Sequence, residues 1–146
     1  MYNRILFPTD FSEASQKALA YIKQLKGCGS QEVVVLHVID QRDLYTLDRH
    51  EADAGVFERW KARAKERTSQ SLTVIEKELK KCGFKVKSLI KIGIPAREIL
   101  NTEEEEGTSI VVIGSHGKTN LEDIFLGSVS DMVLRRCKKP VLLIRR

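Results

Sequence analysis

Residues 109–120 read SIVVIGSHGKTN. Residues 110–113 are apolar and β-branched throughout, the composition of a strand buried on both faces. The run stops at Gly114, and three residues on comes Gly117-Lys118-Thr119, which resembles the end of a phosphate loop. The Walker spacing requires a glycine five positions before the one that precedes the lysine. That position is Val112, inside the strand. The segment is too short to wrap a phosphate chain in that manner, and its glycines need another explanation.

Outward from this strand, strand and helix patterns alternate. YNRILFP reads as a first strand that stops at Pro8, and EVVVLHVI as a second, nearly continuous apolar strand. Between them SEASQKALAYIKQLKGCG is a helix with Ser12 placed to cap it, Glu13 in its first turn, and Ala18, Leu19, Ile22 and Leu25 on one face. Gly27 or Gly29 ends it. Residues 40–52 are polar without a clear period, a loop or short irregular helix. From about Gly55 to Cys82 a long helix carries an intermittent apolar stripe of Phe57, Trp60, Ala64, Leu72, Ile75 and Leu79, closed by Gly83. KVKSLIKIG is the third strand, and Pro95 opens a short helix whose glutamates 103–106 precede Gly107. Glutamates at a helix C-terminus oppose the dipole, so this end is expected to be frayed and solvated, a metal or basic partner being the alternative. VSDMVLRRC is the last helix and KPVLLIRR the last strand.

The order βα βα βα βα β implies a parallel sheet covered on both faces. No linker, repeat or low-complexity tract interrupts it, so residues 1–146 are expected to form one domain. A composition of 42% hydrophobic and 31% charged residues suits a soluble globular chain. No apolar run approaches the roughly 20 residues of a membrane span, and MYNRILFPTD turns polar too early for a signal peptide. Cys28, Cys82 and Cys137 are far apart and form no metal-binding pattern, which points to reduced thiols and a cytoplasmic setting. The net charge of +5 owes much to Arg135, Arg136, Lys138, Lys139, Arg145 and Arg146. Without interleaved aromatics or an RNA-binding signature, a solvated helix end is favoured over a nucleic-acid surface, and no membrane partner is expected.

A right-handed parallel sheet must reverse its winding somewhere, and the strand ends part there to leave a crevice for ligands. Two strand ends carry unusual residues: Pro8, Thr9 and Asp10 after the first, and residues 114–120 after the fourth. If those strands are neighbours, the two bends face each other. Asp10 then suits ribose hydroxyls, or alternatively caps the first helix, and N–H groups around Gly114 and Gly117 suit phosphate. Gly127, Ser128 and Ser130 open the last helix, where unpaired N–H donors favour an anion. The plain alternative is that Ser128 merely caps it.

Gly114-x2-Gly117-x9-Gly127-Ser128 matches the G-x2-G-x9-G-(S/T) pattern of the universal stress protein family. ILFPTDFSEAS resembles the family's first strand and loop, VVVLHVID its second strand, GSHGKTNL its glycine loop, and GSVSDMVLRRCKKPVLLIR its last helix and strand. Only about 41–70 is unspecific. The resemblance is to the ATP-binding members. It implies a three-layer α/β/α Rossmann-like fold of the adenine nucleotide alpha hydrolase type, with a five-stranded parallel sheet of order 3-2-1-4-5. It implies adenine held at Pro8, Thr9 and Val38, and ribose at Asp10. Gly114, Ser115, His116, Gly117, Lys118, Thr119 and Asn120 then surround ribose and phosphates, and Gly127, Ser128, Val129 and Ser130 meet the phosphate end. The glycines serve closeness, since a Cβ at Gly114 would push the ligand away.

His116 has no evident nucleophile to serve, so no catalytic residue is assigned. The leading reading is a nucleotide-dependent stress-response module that holds ATP, ADP or AMP with Mg²⁺ or Mn²⁺ on the phosphates, acts as a homodimer and is read by an unidentified protein partner. A slow or partner-stimulated ATPase and, less favoured, a nucleic-acid binder are the alternatives. The resemblance implies a two-fold dimer through the last strand, an apolar edge, weakened by Leu142→Lys or Leu143→Lys. Valine at Gly114 or Gly127 is expected to abolish ATP binding with the fold intact.

Overall fold

The structure, a computed structural model, describes residues 1–48, 54–115 and 126–145. Its elements are β1 (Arg4–Pro8), α1 (Glu13–Leu25), β2 (Glu32–Asp40), α2 (Gln41–Asp48), α3 (Ala54–Lys81), β3 (Lys85–Gly93), α4 (Pro95–Glu106), β4 (Ile110–Gly114), α5 (Ser128–Arg136) and β5 (Val141–Ile144). The five strands are parallel, in the order β3-β2-β1-β4-β5. Each strand reading above is met within a few residues. The segment left between loop and irregular helix is helical over 41–48, and the rest of it lies outside the described residues.

Alternation along each strand divides the core between two faces. Ile5, Phe7, Val33, Val35 and Val112 bury one side against Ala18, Leu19 and Ile22 of α1 and Leu72 and Leu79 of α3. Leu6, Val34, Leu36, Val111 and Ile113 bury the other against Ile99 of α4 and Val133 of α5. Ser12 is the N-cap of α1 and accepts from the Ser15 amide. Gly83 and Gly107 end α3 and α4 at φ +88° and +59°, backbone that a side chain resists.

Two expectations change. Trp60 does not join the core stripe; it is 44% exposed. The 28 residues of α3 span about 42 Å, whereas the nine-residue strands β2 and β3 beneath it span about 30 Å. Only the C-terminal half of α3 has sheet to cover, and its N-terminal half overhangs the strand ends.

The glutamate run is not a frayed end. Glu103 is buried at 4% exposure. Glu104 pairs with Lys138 at 3.0 Å, Glu105 with Lys91 at 2.8 Å, and Glu106 with Arg4 at 2.7 Å and Lys87 at 2.8 Å. The basic partner belongs to the same chain, and it offsets the unfavourable helix dipole. Among the described residues no group of three or more His, Cys, Asp or Glu side chains could hold a metal.

β5 is an edge strand, but its side chains look inward. Leu142 packs against the core on one face of the sheet, and Val141 and Leu143 against that on the other. Lysine at 142 or 143 would therefore enter the protomer's own interior, and a dimer assay on it could not separate folding from association.

Candidate functional site

The carboxyl ends of β1 and β4 lie side by side, with Ile5 and Leu6 registered against Ile110 and Val111. β2 flanks β1 on the other side. Above these ends opens a cleft of about 800 Å³, within the range of small-molecule sites. Its floor includes Pro8, Leu36, Val38, Ile113 and Gly114; Thr9 and Asp10 project from the first bend; and residues 127–130 close one end. The predicted residues Pro8, Thr9, Asp10, Val38, Gly114, Gly127, Ser128, Val129 and Ser130 are thus brought together. Ser115 is buried just beneath, its amide bonded to the Ile144 carbonyl and its own carbonyl receiving the Gly127 amide. His116, Gly117, Lys118, Thr119 and Asn120 lie outside the described residues.

Local hydrogen bonds fix the first bend. The Thr9 amide donates to the Leu36 carbonyl at 2.8 Å, extending the β1–β2 ladder past Pro8. The Thr9 hydroxyl accepts from the Phe11 amide at 3.0 Å and from the Ser15 hydroxyl at 2.5 Å. Asp10 Oδ1 accepts from the Ser12 amide at 3.0 Å, so Asp10 holds the turn before α1 while Ser12 caps the helix. That bond uses one carboxylate oxygen, and a carboxylate has further acceptor capacity. The chain reverses at Phe11, whose φ of +63° is uncommon for a residue with a side chain. The Phe11 ring stacks on His37 at a centroid distance of 4.8 Å. His37 Nδ1 lies 2.7 Å from the Thr9 carbonyl; since a carbonyl only accepts, Nδ1 carries the proton.

The opposite end is the start of α5. Its N-cap is Gly127, with no side-chain capping bond. Ser128 is therefore not the cap; it is exposed as the first helical residue. The Ser130 hydroxyl turns back to donate to the Gly114 carbonyl at 2.7 Å, tying α5 to the end of β4. The first-turn amides of 128–130 and the helix dipole provide positive potential here.

Gly114 has a packing role besides the expected one. A Cβ there would stand 3.0 Å from Ala14 C, Ala14 Cβ and Ser15 N. Its missing side chain makes room for α1, while its main chain lines the cleft. Valine at this position would therefore press on α1 and cost stability.

Sequence reasoning missed part of the wall. Phe11, His37, Arg67, Thr68, Ser71, Pro95 and Ile99 also line the cleft. His37 was within reach: a histidine near the carboxyl end of an otherwise apolar strand points to a ligand crevice. The α3 residues depend on the helix overhanging the sheet, which no local pattern announces. Beside them Asp40 pairs with Arg42 at 2.6 Å; the hydrogen bond from Arg42 holds its carboxyl below the usual carboxylate range against the opposing effect of burial.

Comparison with known proteins agrees with this architecture. The universal stress protein family profile matches residues 1–145. Universal stress protein MJ0577 of Methanocaldococcus jannaschii is 43% identical over 156 aligned positions, covering 100% of this chain and 96% of the relative. The solved structure of MJ0577 superposes with a TM-score of 0.90 at 42% identity, over 100% of this chain and 97% of that one. Universal stress protein YxiE of Bacillus subtilis is 32% identical, covering 99% of this chain and 100% of the relative. A universal stress protein from Archaeoglobus fulgidus, solved in complex with dAMP, shares the fold at a TM-score of 0.61 and 23% identity over 98% of each chain.

Proposed function

Since the chain belongs to the universal stress protein family, we propose that its cleft holds ATP, or the related ADP or AMP, and that it acts as a nucleotide-dependent regulatory module in the form of a homodimer. One observation carries the reading: the cleft is bounded at once by the β1 bend, the end of β4 and the start of α5. These are the places where a parallel sheet receives a nucleoside and a helix receives its phosphates. Adenine lies over Pro8, Thr9 and Val38, with ribose at Asp10. Gly114, Ser115 and the loop 116–120 surround ribose and phosphates, and residues 127–130 meet the phosphate end. A divalent cation reaches the site on the phosphate oxygens and water. The relative solved with dAMP supports a nucleotide in this fold. The setting is cytoplasmic; no helix among the described residues is long and apolar enough to cross a membrane.

Isothermal titration with ATP, ADP and AMP tests binding, and a turnover assay with Mg²⁺ or Mn²⁺ separates holding from hydrolysis. Saturable ATP binding with negligible turnover supports the module; sustained turnover makes the chain an ATPase; no binding removes the reading.

The homodimer forms along the free edge of β5. Val111 donates to the Pro140 carbonyl and Ser115 to the Ile144 carbonyl, so by the even spacing of a parallel ladder the main-chain groups of 141 and 143 face outward. Leu143→Pro removes an outward donor while sparing the β4 ladder. It should yield monomers by light scattering, and Leu143→Ala, which loses the same core side chain but keeps the outward donor, should remain dimeric; an unchanged dimer mass for Leu143→Pro contradicts this interface.

A further inference from the structure

The overhanging half of α3 presents Ala64, Arg67, Thr68 and Ser71 to the cleft. The intervals of three, four and seven residues place them on one helix face. Thr68 is distinct among them. It is only 6% exposed and lines the cleft, yet its hydroxyl makes no hydrogen bond among the described residues. Threonines elsewhere in the helices behave otherwise: Thr73 donates to the Ser69 carbonyl at 2.8 Å, and Thr102 to the Glu98 carbonyl at 2.6 Å. The Thr68 oxygen is not among the fully enclosed unpartnered atoms; it opens on the cleft, where a ligand can take up its donor and acceptor sites in place of solvent.

The position along the cleft says which part of a ligand it meets. α5 begins beside the end of β4, Asp10 follows β1, and α3 covers β2 and β3. Phosphates at α5 and ribose at Asp10 leave the base at β2, under α3. We infer that Thr68 is a specificity-determining residue of the cleft: its hydroxyl hydrogen-bonds the nitrogen-bearing edge of the adenine ring, with Ser71 one helical turn on completing a polar wall. A hydroxyl offers one donor and two acceptor sites, and adenine's edge carries both an amino donor and ring-nitrogen acceptors. This rests on the nucleotide reading above and adds a side chain to it.

The test compares Thr68→Val, which keeps the shape and removes the hydroxyl, with Thr68→Ser, which keeps the hydroxyl. Dissociation constants are measured for ATP and for ribose 5-triphosphate, which lacks the base. Thr68→Val should weaken ATP binding about fivefold, leave ribose 5-triphosphate unchanged, and leave the ligand-free melting temperature unchanged or raised. Thr68→Ser should retain ATP affinity. Equal ATP affinity in the unmodified chain and the valine variant, or an equal loss for both ligands, overturns the role of Thr68 while the nucleotide reading stands. No ATP binding by the unmodified chain overturns both.

Discussion

Both poles of the sheet carry polar groups, but arranged to opposite ends. At the amino pole charges answer one another. Arg4 bridges Glu32 at 3.1 Å and Glu106 at 2.7 Å, and Lys87 joins at 2.8 Å; among the described residues Arg4 Nε and the Thr108 hydroxyl are left buried without a partner. At the carboxyl pole the polar groups are tied mostly to neighbouring backbone, as Asp10 is to Ser12 and Ser130 to Gly114, and a cavity stays open between them. Density of charge therefore does not mark the concave end of this protein. Concavity with local tethering is a better guide, because residues fixed by their own backbone keep remaining acceptors available to a guest.

The comparison is broken most severely at Gly114, where cleft and packing meet. Gly114→Val should destabilise the chain by about 3 kcal/mol, the upper range for overpacking, because its Cβ meets the backbone of α1 at 3.0 Å. Denaturant titration checks this; a stable variant that has merely lost nucleotide would return Gly114 to the role of ligand clearance. Asp10→Ala should weaken ATP about tenfold, the worth of a charge-assisted hydrogen bond, with a smaller effect on inorganic triphosphate. Asp10→Asn serves as control, since its amide oxygen can still accept from the Ser12 amide.

The smallest effect belongs to the amino pole. The hydrogen bond from Lys87, then the charges of Lys87 and Arg4, hold the Glu106 carboxyl below its ordinary value in spite of burial. A depressed carboxylate contributes its stability fully above its ordinary value, near 4.5, and loses it as pH falls through the lower, folded-state value. Glu106→Gln should cost less than about 1 kcal/mol at neutral pH, flatten the acid limb of the stability profile, and leave ATP affinity untouched. A loss of ATP affinity would mean that the poles are coupled.

Much of the fold was legible because local and tertiary demands coincide. Buried parallel strands must read as apolar runs, as 33–36 and 110–113 do, and Ser12 and Gly107 mark helix ends by their own chemistry. The bend after β1 and the turn off β4 at Gly114 were legible for the same reason. What stayed hidden required distances between segments. The clash awaiting a Cβ at 114 comes from α1, a hundred residues earlier. The cations that answer glutamates 104–106 sit on β1, on β3 and after α5. Thr68 reaches the cleft because α3 outruns its sheet, and its segment carries no pattern that says so.

The most direct measurement is the identity of the nucleotide retained through native purification, read by mass spectrometry. An adenosine phosphate recovered in stoichiometric amount, and lost from the Asp10→Ala variant, is the expected result. A chain that emerges without nucleotide and fails to take up ATP when it is supplied at about millimolar concentration, the weak end of specific affinities, would contradict the assignment of the cleft.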